Sequence, residues 1–192
     1  MEESGHEGRD EEPAWIARCR RGETAAFRPL VERYARMVHT VISRLAPAAD
    51  VDDLAQQTFL AAFERLDQYR EGARFSTWLC QIAINKARDE YRAARRRPEL
   101  GDAECLDEHR EDGPEDQAVR QENGGAVVRA LGRLAGPDRE LLVLKYVMEE
   151  SFETVAEILG ITVGAAKVRA LRARERFREI LSKDERYGKR DG

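Results

Sequence analysis

The 192-residue sequence is poor in the groups that anchor a chain outside the cytoplasm or carry out covalent chemistry. It has three cysteines, Cys19, Cys80 and Cys105, an odd number separated by wide gaps. That spacing gives neither a disulfide framework nor a close cysteine pair for zinc, so reduced structural thiols are expected. The three histidines, His6, His39 and His109, have no matching nucleophile or carboxylate arrangement, and no phosphate-cradling glycine loop occurs. Neither an enzyme, nor a cofactor, nor a bound metal is therefore expected. No apolar run approaches the roughly 18 residues of a membrane helix, and the opening MEESGHEGRDEEP is acidic where a signal peptide is basic and then apolar. A cytoplasmic protein without membrane insertion is the expectation. No stretch alternates with a period of two, so strands are not expected either.

What is present is charge, at 36% of residues, beside 42% hydrophobic residues, enough to bury real cores. The net charge of -4 would argue against a nucleic-acid partner, but the sum hides opposed blocks. Residues 1–12 carry one basic and six acidic side chains, and 99–123 carry two and ten. Residues 13–98 carry 16 basic against 10 acidic, and 124–192 carry 14 against 11. Two basic blocks are thus separated by an acidic spacer and preceded by an acidic tail.

The spacer from Pro98 to Gln117 has two prolines, two glycines, many acids and few large apolar residues. It cannot bury enough surface to offset its ordering entropy and reads as a flexible linker. Before it, apolar residues recur at helical spacing: Trp15, Ile16 and Cys19, then Phe27, Leu30, Val31 and Tyr34, then Val38, Val41, Ile42 and Leu45. Pro47 ends that run. Asp50 or Asp52 can cap a helix presenting Leu54, Phe59, Leu60 and Phe63. A further helix from Phe75 or Ser76 to Arg97 carries Trp78, Leu79, Ile82, Ala83 and Tyr91, and Trp78 falls on its apolar stripe. After the linker, helices are expected over 117–134 with Gly124-Gly125 as a weak point, over 139–148 capped by Asp138, from Ser151 or Thr154 to Gly160, and from Val163 to about Leu181 behind a Thr162 cap. The expected fold is all-α: a tail over 1–12, a helical domain over 13–97, the linker over 98–116, a second small helical domain over 117–182 and a polar tail over 183–192.

The segment ETVAEILGITVGAAKVRALRARERFREIL has the pattern of a helix-turn-helix, a short amphipathic helix, a glycine turn and a longer basic helix. At 100° per residue, Val163, Ala166, Ala170, Ala173, Phe177, Ile180 and Leu181 share one arc of about 100°, the core face. Val168, Leu171, Arg172 and Glu175 lie opposite, with Arg169 and Arg176 on one flank and Lys167, Arg174 and Arg178 on the other. Residues 167–178 hold six basic side chains against one acid, which favours DNA over a solvated, salt-bridged surface. The arginines are placed for phosphates and Val168 and Leu171 for base edges, where thymine methyls offer apolar partners.

The first block holds DDLAQQTFLAAFERLDQYREGARFSTWLCQIAINKARDEYRAARRR, residues 52–97. It resembles region 2 of bacterial sigma factors, with an Asp-Leu-x-Gln helix, a loop, a Phe-Ser-Thr-Trp helix start and a basic helix end. With Gly22, Ala26-Phe27 and Tyr34 upstream and a helix-turn-helix resembling region 4, the chain is similar to extracytoplasmic-function sigma factors of the sigma-70 family. The resemblance covers residues 13–97 and 117–182 and leaves no room for region 3.

It implies a transcription initiation factor that binds core RNA polymerase and directs it to promoter DNA by recognising −10 and −35 elements. Asp52, Asp53, Gln56, Gln57 and Phe59 match the helix that docks on the clamp coiled coil of the largest subunit; helix capping is the plain alternative for the two aspartates. Contact with the flap of the second-largest subunit is implied as well. Tyr69, Phe75, Asn85, Lys86, Arg88 and Arg92 match the −10 segment, where rings stack a flipped base and cations, with Arg95 to Arg97, hold phosphates. Lys167, Val168, Arg169, Leu171, Arg172, Arg174 and Arg176 fall to the −35 element. The resemblance also implies control by an anti-sigma factor.

A second reading, a stand-alone helix-turn-helix regulator with a sensor domain, requires a ligand pocket or self-association surface in 13–97, where the text is instead Arg- and aromatic-rich. Cys105 and His109, four apart in the linker, could serve a metal or redox sensor but read better as solvated.

Overall fold

The computed structural model describes residues 7–46, 49–70, 72, 74–96 and 126–188. Outside the described residues lie the linker with Cys105 and His109, the first part of the helix expected from Gln117 with Gly124-Gly125, Pro47, Arg97 and His6. Among the described residues every regular element is helical, as the missing period of two implied.

The first half is built from α1 (Glu7–Arg20), α2 (Arg28–Leu45), α3 (Val51–Glu64) and α4 (Phe75–Arg96), with short 3-10 turns at Thr24–Phe27 and Leu66–Gln68. α2, α3 and α4 pack on one another around Leu30, Val38, Val41, Ile42, Phe75, Leu79 and Ile84, all nearly inaccessible. Asp50 is the cap of α3: its carboxylate accepts the Asp53 amide at 3.0 Å. α1 begins inside the stretch expected as a disordered tail. It is held there because the Tyr34 hydroxyl donates to the Glu12 carboxylate, Arg33 pairs with the same group at 3.4 Å, and the Arg33 guanidinium lies 4.7 Å over the Trp15 ring.

The second half contains α5 (126–133), α6 (Gly136–Leu142), α7 (Phe152–Leu159) and α8 (Val163–Gly188). The helix expected over 139–148 with Asp138 as its cap takes another form. Pro137 opens α6 one turn earlier, Ala135 occupies the cap position without a side-chain bond, and Asp138 is already inside the helix. The chain then widens into a π turn over Val143–Val147, closed by Met148 N–H donating to the Val143 carbonyl at 3.0 Å. Ser151 caps α7, accepting the Thr154 amide at 3.0 Å. α8 runs on to Gly188, into the stretch expected as a polar tail.

The two halves touch. α4 packs on α7, and α2 on α6 and the π turn, so the buried apolar side chains form one continuous cluster.

Candidate functional site

α7, the turn and α8 form the helix-turn-helix. Gly160 ends α7 in the left-handed region at φ 65°, which an L side chain rarely adopts. Its amide donates to the Glu157 carbonyl at 3.3 Å and that of Ile161 to the Ala156 carbonyl at 3.0 Å, the paired bonds of a Schellman ending. Thr162 then caps α8, its hydroxyl accepting the Ala165 amide at 3.2 Å. Ala166, Ala170 and Ala173 turn inward and are buried, and their small size lets α8 lie close against α6 and α7. The outward face follows by helical geometry: Val168 is 51% and Leu171 57% exposed. Lys167, Arg172 and Arg176 around them are exposed, and Arg169 and Arg174 half-buried.

Between this face and α6 lies an open groove of about 390 Å³ lined by Asp138, Ala165, Val168, Arg169, Arg172 and Arg176. The buried Asp138 carboxylate accepts from the Arg176 guanidinium and fixes one end of that side chain. The groove is therefore a concave surface of three arginines and the exposed Val168, with the one carboxylate, Asp138, already paired to Arg176, an arrangement suited to a polyanion.

On α3 the exposed edge carries Asp52, Asp53 and Gln56, with Gln57 half-buried and donating to the Asp53 carboxylate at 2.8 Å. Asp52 stands 3.5 Å from the His39 ring. Because Asp50 does the capping, both aspartates face outward, where acids in a first turn also complement the helix dipole. Phe59, expected in this docking group, is instead in the core, its neighbour Phe63 packing edge-on to Phe27 at 5.2 Å. Leu60, expected in the core, is 57% exposed on the edge that carries Asp53 and Gln56. An apolar pair at adjacent positions points about 100° apart on a helix, and only packing decides which one turns inward.

The expected −10 group divides in the same way. Tyr69 and Phe75, expected as stacking faces, are buried in an aromatic cluster with Trp78 and Tyr34 at centroid distances of 5.4–5.5 Å. Edge and tilted contacts of this kind stabilise a core and leave no ring face for a base. Arg20 holds the turn in place, donating to the carbonyls of Leu66, at 3.2 Å, and of Tyr69. Asn85 and Arg92 are exposed, Lys86 half-buried. Arg88 is turned onto Glu140 of α6, its Nε and Nη2 each 2.6 Å from a carboxylate oxygen, while its Nη1 donates to the Asn85 side-chain oxygen at 3.2 Å.

Sequence reasoning missed Arg20, Asp138, Arg139 and Glu140. The last three are consecutive charged residues, of which only Asp138 was expected to have a role, as a cap, and all are buried. Their only sequence signal is Pro137, which starts a helix at that point.

The chain matches two family patterns, Sigma-70 region 2 over residues 30–97 and Sigma-70 region 4 over residues 124–177. It is 33% identical over 169 residues to the ECF RNA polymerase sigma-E factor of Escherichia coli (strain K12), covering 83% of this chain and 88% of that one. It is 34% identical over 177 residues to the RNA polymerase sigma factor CnrH of Cupriavidus metallidurans, covering 88% and 93%. Among solved structures, CnrH in complex with the cytosolic domain of CnrY superposes with a TM-score of 0.67 at 31% identity, over 89% of this chain and 97% of that one. The sigma factor RpoE of Bartonella quintana, solved with the anti-sigma factor NepR, shares the fold at a TM-score of 0.65 and 22% identity, over 81% and 96%. With two sigma-70 regions in order on one chain and relatives matched over nearly their whole length, this protein belongs to the extracytoplasmic-function sigma factors of the sigma-70 family and is a promoter-specific transcription initiation factor.

Proposed function

We propose that this sigma factor engages its partners through three surfaces, with regions 2 and 4 corresponding to residues 13–97 and 117–182. The exposed edge of α3, with Asp52, Asp53, Gln56 and Leu60, docks on core RNA polymerase at the clamp coiled coil of the largest subunit. Acids and an amide around one exposed leucine suit an Arg-rich partner helix with an apolar stripe. Region 4 contacts the flap of the second-largest subunit.

The basic face of α4, with Asn85, Lys86, Arg88 and Arg92, holds the −10 strand. Tyr69 and Phe75 act beneath it as the support of the turn and not as stacking platforms. The outer face of α8 enters the −35 major groove. Arg169, Arg172, Arg174, Arg176 and Lys167 grip phosphates, and Val168 and Leu171 lie against base edges.

An anti-sigma factor restrains the chain, by analogy with the Bartonella RpoE, solved with the anti-sigma factor NepR, and beside CnrH, solved with the cytosolic domain of CnrY. The chain works in the cytoplasm, without catalytic chemistry of its own.

The observation that carries the −35 assignment is the exposure of Val168 and Leu171 at the centre of a cationic rim, where burial within the domain cannot account for them. The test is transcription by reconstituted holoenzyme from single-base −35 variants. Arg172→Ala should weaken every promoter alike and lower the salt slope by about one unit. Val168→Ser should cost about 1 kcal/mol at particular base pairs and little at others. A Val168→Ser profile that scales down uniformly would remove the valine from sequence reading.

A further inference from the structure

The seam between the halves contains three polar contacts, one of them made by Arg88, which was expected at the −10 strand. Arg139 is among the largest fully buried side chains, at 2% exposure. Its Nη1 donates to the Leu45 carbonyl at the end of α2, 3.0 Å away, and its guanidinium lies 4.3 Å over the Tyr91 ring of α4. Next to it Glu140 takes the fork of Arg88. Gln81 of α4 donates to the Glu157 carbonyl of α7 at 3.1 Å. An open cleft of about 600 Å³ remains between Leu45, Ala87, Tyr91, Pro137 and these arginines. A seam with polar contacts and an open cleft resembles a separable interface between domains more than the interior of one.

We propose that Arg139 and Glu140 are an intramolecular latch that closes region 4 onto region 2 and occupies Arg88, so that a phosphate of the −10 strand and the Glu140 carboxylate compete for the same guanidinium. The competition rests on the reading of Arg88 as a −10 phosphate contact. Its geometry is restrictive: one edge of a guanidinium offers one bidentate site, and carboxylate and phosphate fit it equally well. With Nε and Nη2 on Glu140 and Nη1 on Asn85, two of the six residues expected to hold the −10 strand are committed to the closed arrangement.

Opening is feasible at these contacts because each polar group they release can be hydrated. Arg88 is already 36% exposed at its side chain, whereas Glu140, at 6%, gains water only when the halves part. The buried guanidinium of Arg139 makes the closed form specific, since its acceptor and its ring partner both belong to region 2. The free chain is therefore biased towards closed and binds the −10 strand weakly. Docking on polymerase, which has to space the two regions along a promoter, releases the latch.

The test uses the full chain with a donor and an acceptor dye attached by non-cysteine chemistry at the exposed positions Asp67 and Glu179. It is paired with titration of a fluorescent single-stranded −10 oligonucleotide in the absence of polymerase. Glu140→Gln and Arg139→Ala should each lower energy transfer, shifting the open-to-closed ratio about tenfold, the scale of a lost charged hydrogen bond. Where the closed form dominates, apparent affinity scales with the open fraction, so Glu140→Gln should bind the oligonucleotide about tenfold more tightly. The doubly exchanged Arg88→Glu, Glu140→Arg chain should recover wild-type transfer but not the gain in binding. It also serves should the single variants lose their helical circular dichroism. Transfer that stays at the wild-type value in both single variants, or that the exchanged chain fails to recover, overturns the latch. Transfer that falls while oligonucleotide affinity is unchanged leaves the latch standing and overturns the assignment of Arg88 to the −10 strand.

Discussion

The two halves of this sigma factor are stabilised by different means. Region 2 has long helices around an aromatic centre, Tyr34, Tyr69, Phe75 and Trp78, with Phe27 and Phe63 nearby, and among the described residues its buried polar side chains are the uncharged Thr58 and Thr77. Thr58 needs no distant partner, since its hydroxyl donates to the Leu54 carbonyl one turn back at 2.8 Å. Region 4 packs the short α6 and α7 against the long α8 over alanines, and it buries three consecutive charged residues, Asp138, Arg139 and Glu140. Each finds its partner on another element: Asp138 on α8, Arg139 on α2 and α4, Glu140 on α4. The aromatic core of region 2 is filled by its own rings, whereas the charges of α6 are satisfied only when its neighbours, two of them across the seam, are in place.

The comparison breaks most visibly at the aromatic centre. Phe75→Ala should remove about 3–5 kcal/mol from the stability of region 2 and lower its melting temperature by more than about 10 °C. Denaturant unfolding followed by tryptophan fluorescence reads it directly, since Trp78 packs on the Phe75 ring at 5.5 Å. A loss below 1 kcal/mol would show that the cluster is not the core of this half.

Next comes the seam. Arg139→Ala removes a charged hydrogen bond and a stacked cation, a loss on the order of 2 kcal/mol. That loss should separate one calorimetric transition into two, with region 4 melting first. A single transition shifted as a whole would mean that the halves are coupled by apolar contact alone.

Helix caps should make the halves equal. Asp50→Ala on α3 and Ser151→Ala on α7 each delete one side-chain acceptor for an N-terminal amide, and each should cost about 1 kcal/mol. Chemical denaturation of the two variants sharpens the comparison, because a much larger loss for Ser151 would locate the weakness of region 4 in its helices and not in the seam.

The smallest effect concerns the thiols. Burial pushes the Cys80 thiol up to about 12 and also raises that of Cys19. At pH 8 the folded chain therefore holds both as neutral thiols, and alkylation should be far slower than in denaturant, as mass spectrometry can follow. Because the folded value for Cys80 is raised, its contribution to stability is complete below the ordinary thiol value of 9.0 and is lost as the pH climbs from there towards about 12.

Much of this was legible beforehand, and the reason is local. The helix-turn-helix follows from residues that act within one turn: Ser151 and Thr162 as caps, Gly160 at a positive φ, and a 3.6-residue period that turns Ala166, Ala170 and Ala173 inward and Val168 and Leu171 outward. The Asp-Leu-x-Gln helix and the Phe-Ser-Thr-Trp start were equally plain as sequence. The errors fell where two adjacent residues compete for one inward position. Phe59 and Leu60 are both apolar, and a loop ring such as Tyr69 can stack a base or fill a core with the same chemistry.

The sequence by itself thus determined the helical class, the opposed charge blocks, the Gly160 ending of α7, the Thr162 cap and the faces of α8, because these depend on neighbours within about four residues. Only the tertiary structure decided that Phe59, Tyr69 and Phe75 are core, that Leu60 is surface, and that Asp138-Arg139-Glu140 is buried. Each of those outcomes depends on a partner distant in sequence: Arg139 on Leu45, Glu140 on Arg88 and Asp138 on Arg176, through charge pairs and packing that no local period encodes.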